Sequence, residues 1–117
     1  MDSSQHTSCA ERSAIIRSLN DELRKDLHNG RVMLTRAVAE LDVMLRFQII
    51  SAVRSFDTFT PDNDPWGEHD FGQVEVTGER YFWKIDAYDL NLEFGSPDPS
   101  DDAVTCRVIT IMTGADL

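Results

Sequence analysis

The chain has 117 residues, of which 41% are hydrophobic, and a mean hydropathy of −0.33, so one domain with a single core is expected. Its net charge of −10 disfavours direct binding to nucleic acid or to an anionic membrane and favours cations or basic protein surfaces. No apolar run approaches the roughly 20 residues that cross a bilayer, and the two isolated cysteines predict a reduced, cytoplasmic protein.

Acidic residues are concentrated in the second part of the chain. Residues 1–50 carry seven acidic and seven basic side chains, whereas residues 51–117 carry fourteen acidic side chains and four basic ones. The whole net charge of −10 therefore belongs to the second part. A field of one sign lowers stability through self-repulsion, so its concentration there indicates a functional use.

The first third of the chain predicts one long helix and a short strand. Residues 1–9 are polar and predict a disordered lead-in, without the apolar segment of a signal peptide. Within residues 10–28, apolar residues recur at steps of three and four, as on an amphipathic helix: Ile16, Leu19, Leu23 and Leu27. An Asn-Gly pair ends that helix, residues 31–35 predict a short strand, and residues 36–41 are ambiguous, with room for one helical turn.

A second helix is predicted over residues 43–55, with Asp42 as its N-cap. Its predicted apolar stripe consists of Val43, Phe47, Ile50 and Val53, with Met44, Ile49 and Phe56 beside it. Because its apolar fraction is higher than that of the first helix, we expect it to be the more buried of the two.

A hairpin is predicted after a long acidic loop. Two segments with alternating apolar residues flank residues 77–80, where Gly78 and Glu79 suit a tight turn. That turn would place Val74 opposite Trp83. One face of the hairpin is apolar and the other half-polar, which is typical of a sheet covered on one side.

The remaining sequence completes the predicted fold. Residues 91–102 form a second acidic loop, residues 104–112 are β-branched enough for a buried strand, and residues 114–117 form a tail. We therefore expect one α+β domain over residues 10–113, in which two helices pack on one face of a small, mainly antiparallel sheet.

The long loop at residues 56–72 contains more functional side chains than a simple connection between two elements needs. Its prolines, glycines and Asn-Asp pair prevent regular structure, yet it carries aromatic rings, five carboxylates and a histidine. With residues 30–35, 82–86 and 110–112, the string Thr-Pro-Asp-Asn-Asp-Pro-Trp-Gly-Glu-His-Asp-Phe-Gly at residues 60–72 resembles a bacterial family of small acidic proteins of unknown function. Such proteins occur in chromosomes, plasmids and phage, so the resemblance implies the cytoplasm of a bacterium, or of the host of a phage, and no particular chemistry.

Five side chains of this loop suit a divalent cation: Asp62, Asp64, Glu68, His69 and Asp70. Carboxylates two residues apart can converge on one ion, although calcium-loop spacing fails because Trp66 and Gln73 occupy ligand positions. The corresponding function is a metal-dependent hydrolase or nuclease that works through a metal-activated water. The alternative is structural, with Asp62 and Asp64 accepting backbone N–H groups in Asx-turns while Trp66 and Phe71 pack the loop against the core.

His69 also suits a general base, since carboxylates flank it on both sides in the sequence. A nucleophile is missing, however, because Cys9 lies in the lead-in and Cys106 in a strand that should be buried. The alternative is a loop histidine hydrogen-bonded to the backbone.

Acidic residues interleaved with aromatic rings predict a surface for a partner. The candidate partner-binding residues are Asp62, Asp64, Trp66, Glu68, His69, Asp70, Asp86, Asp89, Glu93, Asp98, Asp101 and Asp102. Rows of carboxylates can replace phosphates on a basic protein surface, with aromatic rings as anchors. The alternative is a solvated acidic surface without a partner.

The expected function is therefore binding without catalysis, by an acidic protein that occupies a basic, nucleic-acid-binding surface of another protein. A mobile-element inhibitor of a host defence protein, such as an anti-CRISPR protein, is the concrete form that analogy suggests. No cofactor is expected unless the loop binds a divalent cation. Exposure of Phe82 and Tyr88 on the sheet would indicate a homodimer.

Overall fold

The computed structural model of the protein describes residues 8–117. Its helices are α1 (Cys9–Asp26), α2 (Arg36–Ala39) and α3 (Val43–Ser55), and its strands are β1 (Arg31–Leu34), β2 (Phe71–Val76), β3 (Glu79–Tyr88) and β4 (Cys106–Thr113). Single 3₁₀ turns occupy Asp102–Val104 and Gly114–Asp116. The predicted α+β class is confirmed, and the ambiguous residues 36–41 contain the short helix α2.

The chain enters α1 slightly earlier than expected. Of the predicted lead-in, residues 1–7 lie outside the described residues. Ser8 is the N-cap of α1, and its hydroxyl accepts the backbone N–H of Glu11 at 3.0 Å, so Cys9 already belongs to the helix. At the other end of the chain, the predicted tail forms a 3₁₀ turn that Asp116 fixes by accepting the N–H of Thr113.

The four strands form one sheet in the order β1-β4-β3-β2. β1 runs parallel to β4, and the other two pairs are antiparallel, which confirms a mainly antiparallel sheet. The helices cover one face, where the fully buried apolar residues are Leu23, Val38, Ile49, Val53, Trp83, Ile109 and Ile111. No helix of residues 8–117 has the length and apolar content needed to cross a bilayer.

The predicted register of the hairpin is wrong by two residues. Val74 lies opposite Tyr81 instead of Trp83, and the turn residues are Thr77 and Gly78. Both have positive φ, 51° and 84°, the conformation of the tight turn whose twist matches that of paired strands. Because a shift of two residues keeps every side chain on its face, the apolar face was still identified correctly.

The burial predicted for the second helix is also wrong. α3 buries Ile49 and Val53, whereas Val43, Met44 and Phe47 are exposed, Phe47 by 72%. The helix carries apolar residues on two faces, so periodicity alone does not choose the face that meets the sheet. In α1, by contrast, the buried face includes the polar residues Asn20 and Arg24.

Candidate functional site

The topology brings the two acidic loops to one end of the sheet. β2 begins there, β3 ends there and β4 begins there, because neighbouring strands in this part of the sheet are antiparallel. The first acidic loop (residues 56–70) leads into β2, and the second acidic loop (residues 89–105) joins β3 to β4. The loops contain ten carboxylates and no Lys or Arg. We call this region the acidic end.

α1 supplies side chains to both acidic loops. Arg17 Nη1 donates to the carbonyl of Gly67 at 2.9 Å, and Asn20 Nδ2 donates to the carbonyl of Glu68 at 2.9 Å. Arg12 Nη2 lies 3.1 Å from Asp98 Oδ1 in the second loop. The helix therefore fixes the first loop mainly through backbone carbonyls, which leaves the carboxylates of that loop to face elsewhere.

His69 lies between two carboxylates and against an aromatic ring. Its Nδ1 is 2.8 Å from Asp21 Oδ1, and its Nε2 is 3.5 Å from Asp64 Oδ2. The imidazole stacks on Phe59 with ring centroids 3.6 Å apart. The φ of His69 is 53°, an uncommon conformation that Asp64 stabilises by accepting the His69 backbone N–H at 3.1 Å. This histidine is fixed in place by its neighbours.

Beneath His69, the fully buried Arg24 completes the connection to α1. Its Nη1 donates to Asp21 at 2.9 Å, and its Nη2 donates to the carbonyl of Phe56 at 3.1 Å. The guanidinium also lies over the rings of Phe59 and Trp83, 5.2 Å from each centroid. Burial pushes the pKa of Asp21 upward, but hydrogen bonds from His69 and Arg24 outweigh it and hold that pKa below its ordinary value.

A second buried arginine, Arg107 on β4, organises the second acidic loop. Its Nη1 donates to Asp102 at 2.6 Å, its Nη2 donates to the carbonyl of Pro99, and its Nε donates to Asn20 Oδ1 at 3.0 Å. Burial lowers the pKa of the Arg107 guanidinium, while the charge of Asp102 opposes that shift. Asn20 thus joins the two loops, because its amide contacts Glu68 on one side and Arg107 on the other.

Four side chains that were not predicted as site residues hold the acidic end together: Asn20, Asp21, Arg24 and Arg107. A signal for two of them was present. Asn20 and Arg24 follow Ile16 at steps of four, so they lie on the buried stripe of α1 where apolar residues are the norm. Polar residues on such a stripe indicate buried hydrogen-bonding partners.

Two carboxyl groups of the first loop are held in an unfavourable environment. Burial, and then the nearby charges of Asp70 and Asp64, raise the pKa of Glu68. Burial likewise raises the pKa of Asp70, with added repulsion from Asp64 and Asp86. Asp64, Glu68 and Asp70 are thus close enough to repel one another, and Asp86 repels Asp70. A cation near them would relieve that repulsion.

The predicted partner-binding residues differ in how far they reach solvent. Asp62, Trp66 and Glu93 are exposed, whereas Asp64 is buried and Glu68, His69, Asp70, Asp86, Asp89 and Asp98 are half-buried. Asp101 and Asp102 are exposed but accept hydrogen bonds from Ala103 and Arg107. Asp86 lies on β3 and pairs with Lys84 at 3.2 Å. Phe82 and Tyr88 are half-buried.

Apolar side chains are also exposed at the acidic end. Trp66, in the first loop, is 76% exposed, and Phe94, in the second, is 72% exposed. Leu90, four residues before Phe94, is exposed as well. Large exposed apolar side chains therefore lie in the same two loops as the carboxylates.

The five candidate metal ligands of the first loop do not gather around one point in the structure. Among residues 8–117, no three His, Cys, Asp or Glu side chains come together as a group that could hold a metal ion. Asp62 is exposed to solvent, and His69 lies between Asp64 and Asp21 and contacts both. No observation on the described residues therefore favours the metal-dependent hydrolase, which stays an untested prediction.

Comparison with known proteins gives one match. The sequence model of a family described as "Protein of unknown function (DUF3768)" matches residues 34–116, and the predicted resemblance to a family of unknown function is thereby confirmed. The match includes both acidic loops and all of β2, β3 and β4, while α1 lies outside it. No curated protein and no solved structure matches the chain.

Proposed function

The chain belongs to the DUF3768 family, and because that family is described as of unknown function we propose a function from the acidic end itself: binding, without catalysis, to a basic surface of another protein. The surface that suits it best is one that ordinarily binds nucleic acid, since carboxylates can occupy the positions of phosphates. An inhibitor encoded by a mobile element, such as an anti-CRISPR protein, is one form that this function would take.

One observation carries the proposal. Two loops that are far apart in the sequence contribute ten carboxylates and no basic residue to the same end of the molecule. Exposed Trp66 and Phe94 lie in those loops, one in each. Aromatic anchors surrounded by charges of one sign are characteristic of a protein interface, and less so of a surface that only keeps the chain in solution.

The internal contacts of the loops add a further argument. Asp98 accepts from Ser100, Asp101 accepts from Ala103, and Thr60 and Asn63 bond each other's backbone N–H groups. These bonds restrict the loops before any partner arrives. A surface that is already ordered loses less conformational entropy when it binds, which favours affinity.

The proposal is tested with an arginine-rich peptide of about 12 residues, a length that spans one such charged surface, titrated calorimetrically against the protein. The affinity should fall at least about tenfold between about 50 mM and about 500 mM salt, because exposed charges are screened. Exposed carboxylates are then removed from the acidic end by Asp62→Asn with Glu93→Gln. This double variant should bind about fivefold more weakly.

The matched control is Glu75→Gln with Glu79→Gln, which removes the same charge from exposed positions in the β2–β3 hairpin. Its affinity should change by less than about twofold, since these residues lie toward the opposite end of the sheet. Equal losses in the two double variants, or an affinity that does not depend on salt, would contradict the proposal.

A further inference from the structure

A shallow cleft of about 410 Å³ lies on the outer side of the first acidic loop, and we call it the Trp66 cleft. Its lining includes Phe59, Asp64, Trp66 and His69. The cleft thus combines a carboxylate with aromatic rings and lies beside the other carboxylates of the loop.

We propose that the Trp66 cleft binds one cationic side chain, an arginine or a lysine, of the partner protein. The inference rests on the proposed function and adds to it the place where a single residue of the partner is recognised. The cation would contact the carboxylate of Asp64 and the ring of Trp66, both of which line the cleft.

Asp64 is the first argument for a cationic ligand. Its side chain is only 6% exposed, although it lines the cleft. One carboxylate oxygen accepts the backbone N–H of His69 at 3.1 Å, while the other is 3.5 Å from His69 Nε2, too far for a good hydrogen bond. Because a carboxylate can accept about four hydrogen bonds, this oxygen has capacity left for a donor in the cleft.

Trp66 is the second argument. The other rings of this region are packed inward: Phe59 stacks on His69, and Trp83 is fully buried. Trp66 alone among them is 76% exposed, in a turn between Pro65 and Gly67. An exposed indole next to a carboxylate offers a flat surface for a guanidinium or an ammonium group, which binds a ring face by cation–π attraction.

The backbone around the cleft is fixed, which is the third argument. The N–H of Asp64 donates to the carbonyl of Thr60 at 2.8 Å, and the N–H of Gly67 donates to the carbonyl of Asp64 at 3.1 Å. The Asn63 side chain accepts from Thr60 and donates to the carbonyl of Thr58 at 2.9 Å. A ligand would therefore meet a cleft that needs little rearrangement.

The charge around the cleft decides the sign of the ligand. Burial raises the pKa of Glu68 and that of Asp70, and the negative charge of Asp64 adds to both shifts, so Asp64 lies close enough to these two carboxylates to repel them. An anion such as a phosphate would be repelled by the same groups, while a cation would be attracted. Lysine and arginine side chains are the cations that a basic protein surface presents, and arginine adds a planar group for stacking.

The test uses the full chain and N-acetylarginine amide as the probe, with N-acetylcitrulline amide as its neutral counterpart of nearly equal shape. Binding is followed by NMR of the Trp66 indole, and the buried Trp83 indole serves as an internal reference. The arginine compound should shift the Trp66 resonance with a dissociation constant of the order of millimolar, and the citrulline compound should bind at least about tenfold more weakly.

Two variants assign the binding to the cleft. Trp66→Leu, read from the backbone resonances of Gly67 and His69, and Asp64→Asn should each weaken the arginine compound by at least about fivefold. Trp66→Phe, which keeps an aromatic face, should retain most of the binding. Because Asp64 also fixes His69, the Trp66 pair decides the question if Asp64→Asn does not fold.

The outcomes separate this inference from the proposed function. Three results would contradict the proposal that the Trp66 cleft binds a cationic side chain. They are equal binding of the two compounds, no shift at Trp66, and a preference for calcium chloride over the arginine compound. Saturable binding of the arginine compound there would support it even if the arginine-rich peptide failed to show salt-dependent binding at the acidic end. Peptide binding that needs Asp62 and Glu93 but not Trp66 would support the proposed function alone.

Discussion

The two acidic loops carry the same charge but are stabilised in different ways. Each has five carboxylates and no basic residue. The second acidic loop is stabilised by contacts within itself, for example between Ser96, Asp98 and Thr105, and by Arg107, which follows it closely in the chain. The first acidic loop depends on side chains of α1, which lie about 50 residues earlier in the chain. Two loops of equal charge are therefore stabilised differently, the second by contacts between residues near in sequence and the first by contacts with a distant helix.

The difference shows which carboxylates remain available to a partner. In the second loop, Asp89, Asp98 and Asp101 accept backbone N–H groups two to four residues ahead, as Asx-turns do. In the first loop, only Asp64 bonds a nearby N–H group, and the α1 side chains bond mainly carbonyl groups. The first loop thus keeps more of its negative charge for external cations.

Arg107→Met should give the largest loss of stability. Arg107 donates to Asp102 in the second loop and to Asn20 in α1, so both contacts disappear together. Its removal leaves Asp102, the Pro99 carbonyl and Asn20 Oδ1 without their donor, and three lost hydrogen bonds at about 1 kcal/mol each should reduce the free energy of unfolding by about 3 kcal/mol. Urea denaturation measures the loss, with Arg80→Met at an exposed position as the control. Equal stability of the two variants would show that the contacts of Arg107 contribute little.

Asp21→Asn should destabilise the first acidic loop and leave the stability of the second acidic loop nearly unchanged. Asp21 accepts from both Arg24 and His69, so its neutralisation should cost about 2 kcal/mol at pH 7. Hydrogen exchange should accelerate in residues 56–70 and remain unchanged in residues 96–105. Uniform acceleration in both loops would contradict the distinction between them.

The pH dependence of the Asp21→Asn effect has a defined sign. Although burial acts to raise the pKa of Asp21, hydrogen bonds from His69 and Arg24 lower it overall. The stability that this group contributes is therefore present above its ordinary pKa and is lost as the pH falls through the lowered value of the folded state. The difference between wild type and Asp21→Asn should shrink in acid, as thermal unfolding at a series of pH values will show.

Thr105→Val tests the local structure of the second loop. The buried hydroxyl of Thr105 lies 2.7 Å from the carbonyl of Asp101 and 2.7 Å from the hydroxyl of Ser96. An isosteric valine should cost about 1 kcal/mol and accelerate hydrogen exchange in residues 96–105 only. Thr110→Val on β4, whose hydroxyl has no hydrogen bond within residues 8–117, should be nearly neutral.

Asp70→Asn should give the smallest change in the free energy of unfolding, and it should raise that free energy where the other variants lower it. Because burial raises the pKa of Asp70, the stability linked to its proton is present below the ordinary pKa and is lost as the pH rises through the folded value. The asparagine side chain does not titrate, so the variant does not lose stability as the pH rises. It should therefore be more stable than wild type by a few tenths to about 1 kcal/mol at pH 7. The gain should disappear below about pH 4, the ordinary range of an aspartate. A destabilised variant at pH 7 would contradict this reading.

Much of the fold could be predicted because its signals are local. The stripe of α1, the Asp42 cap of α3 and the alternation in β2 and β3 all depend on residues within one or two turns of each other. The errors arose where two solutions fit equally well. α3 has two apolar faces, and the hairpin register depended on whether the turn used Thr77 or Glu79.

The acidic end was predicted only in part. The concentration of carboxylates is visible in the sequence, and topology alone then brings both loops to one end of the sheet. The pairing of Asp21 with His69 is not visible, because 48 residues separate them and no periodic pattern links a helix to a loop.

The polar residues of α1 also influence where this helix lies along the face of the sheet that it covers. An apolar stripe that repeats every three or four residues could slide by one turn and still bury leucine and isoleucine side chains. Such a slip would put Arg24 where Asn20 now accepts from Arg107, bringing two guanidinium groups together in the interior. Charge thus disfavours that slip, so the polar residues of α1 help to set the position of the helix and with it the shape of the acidic end.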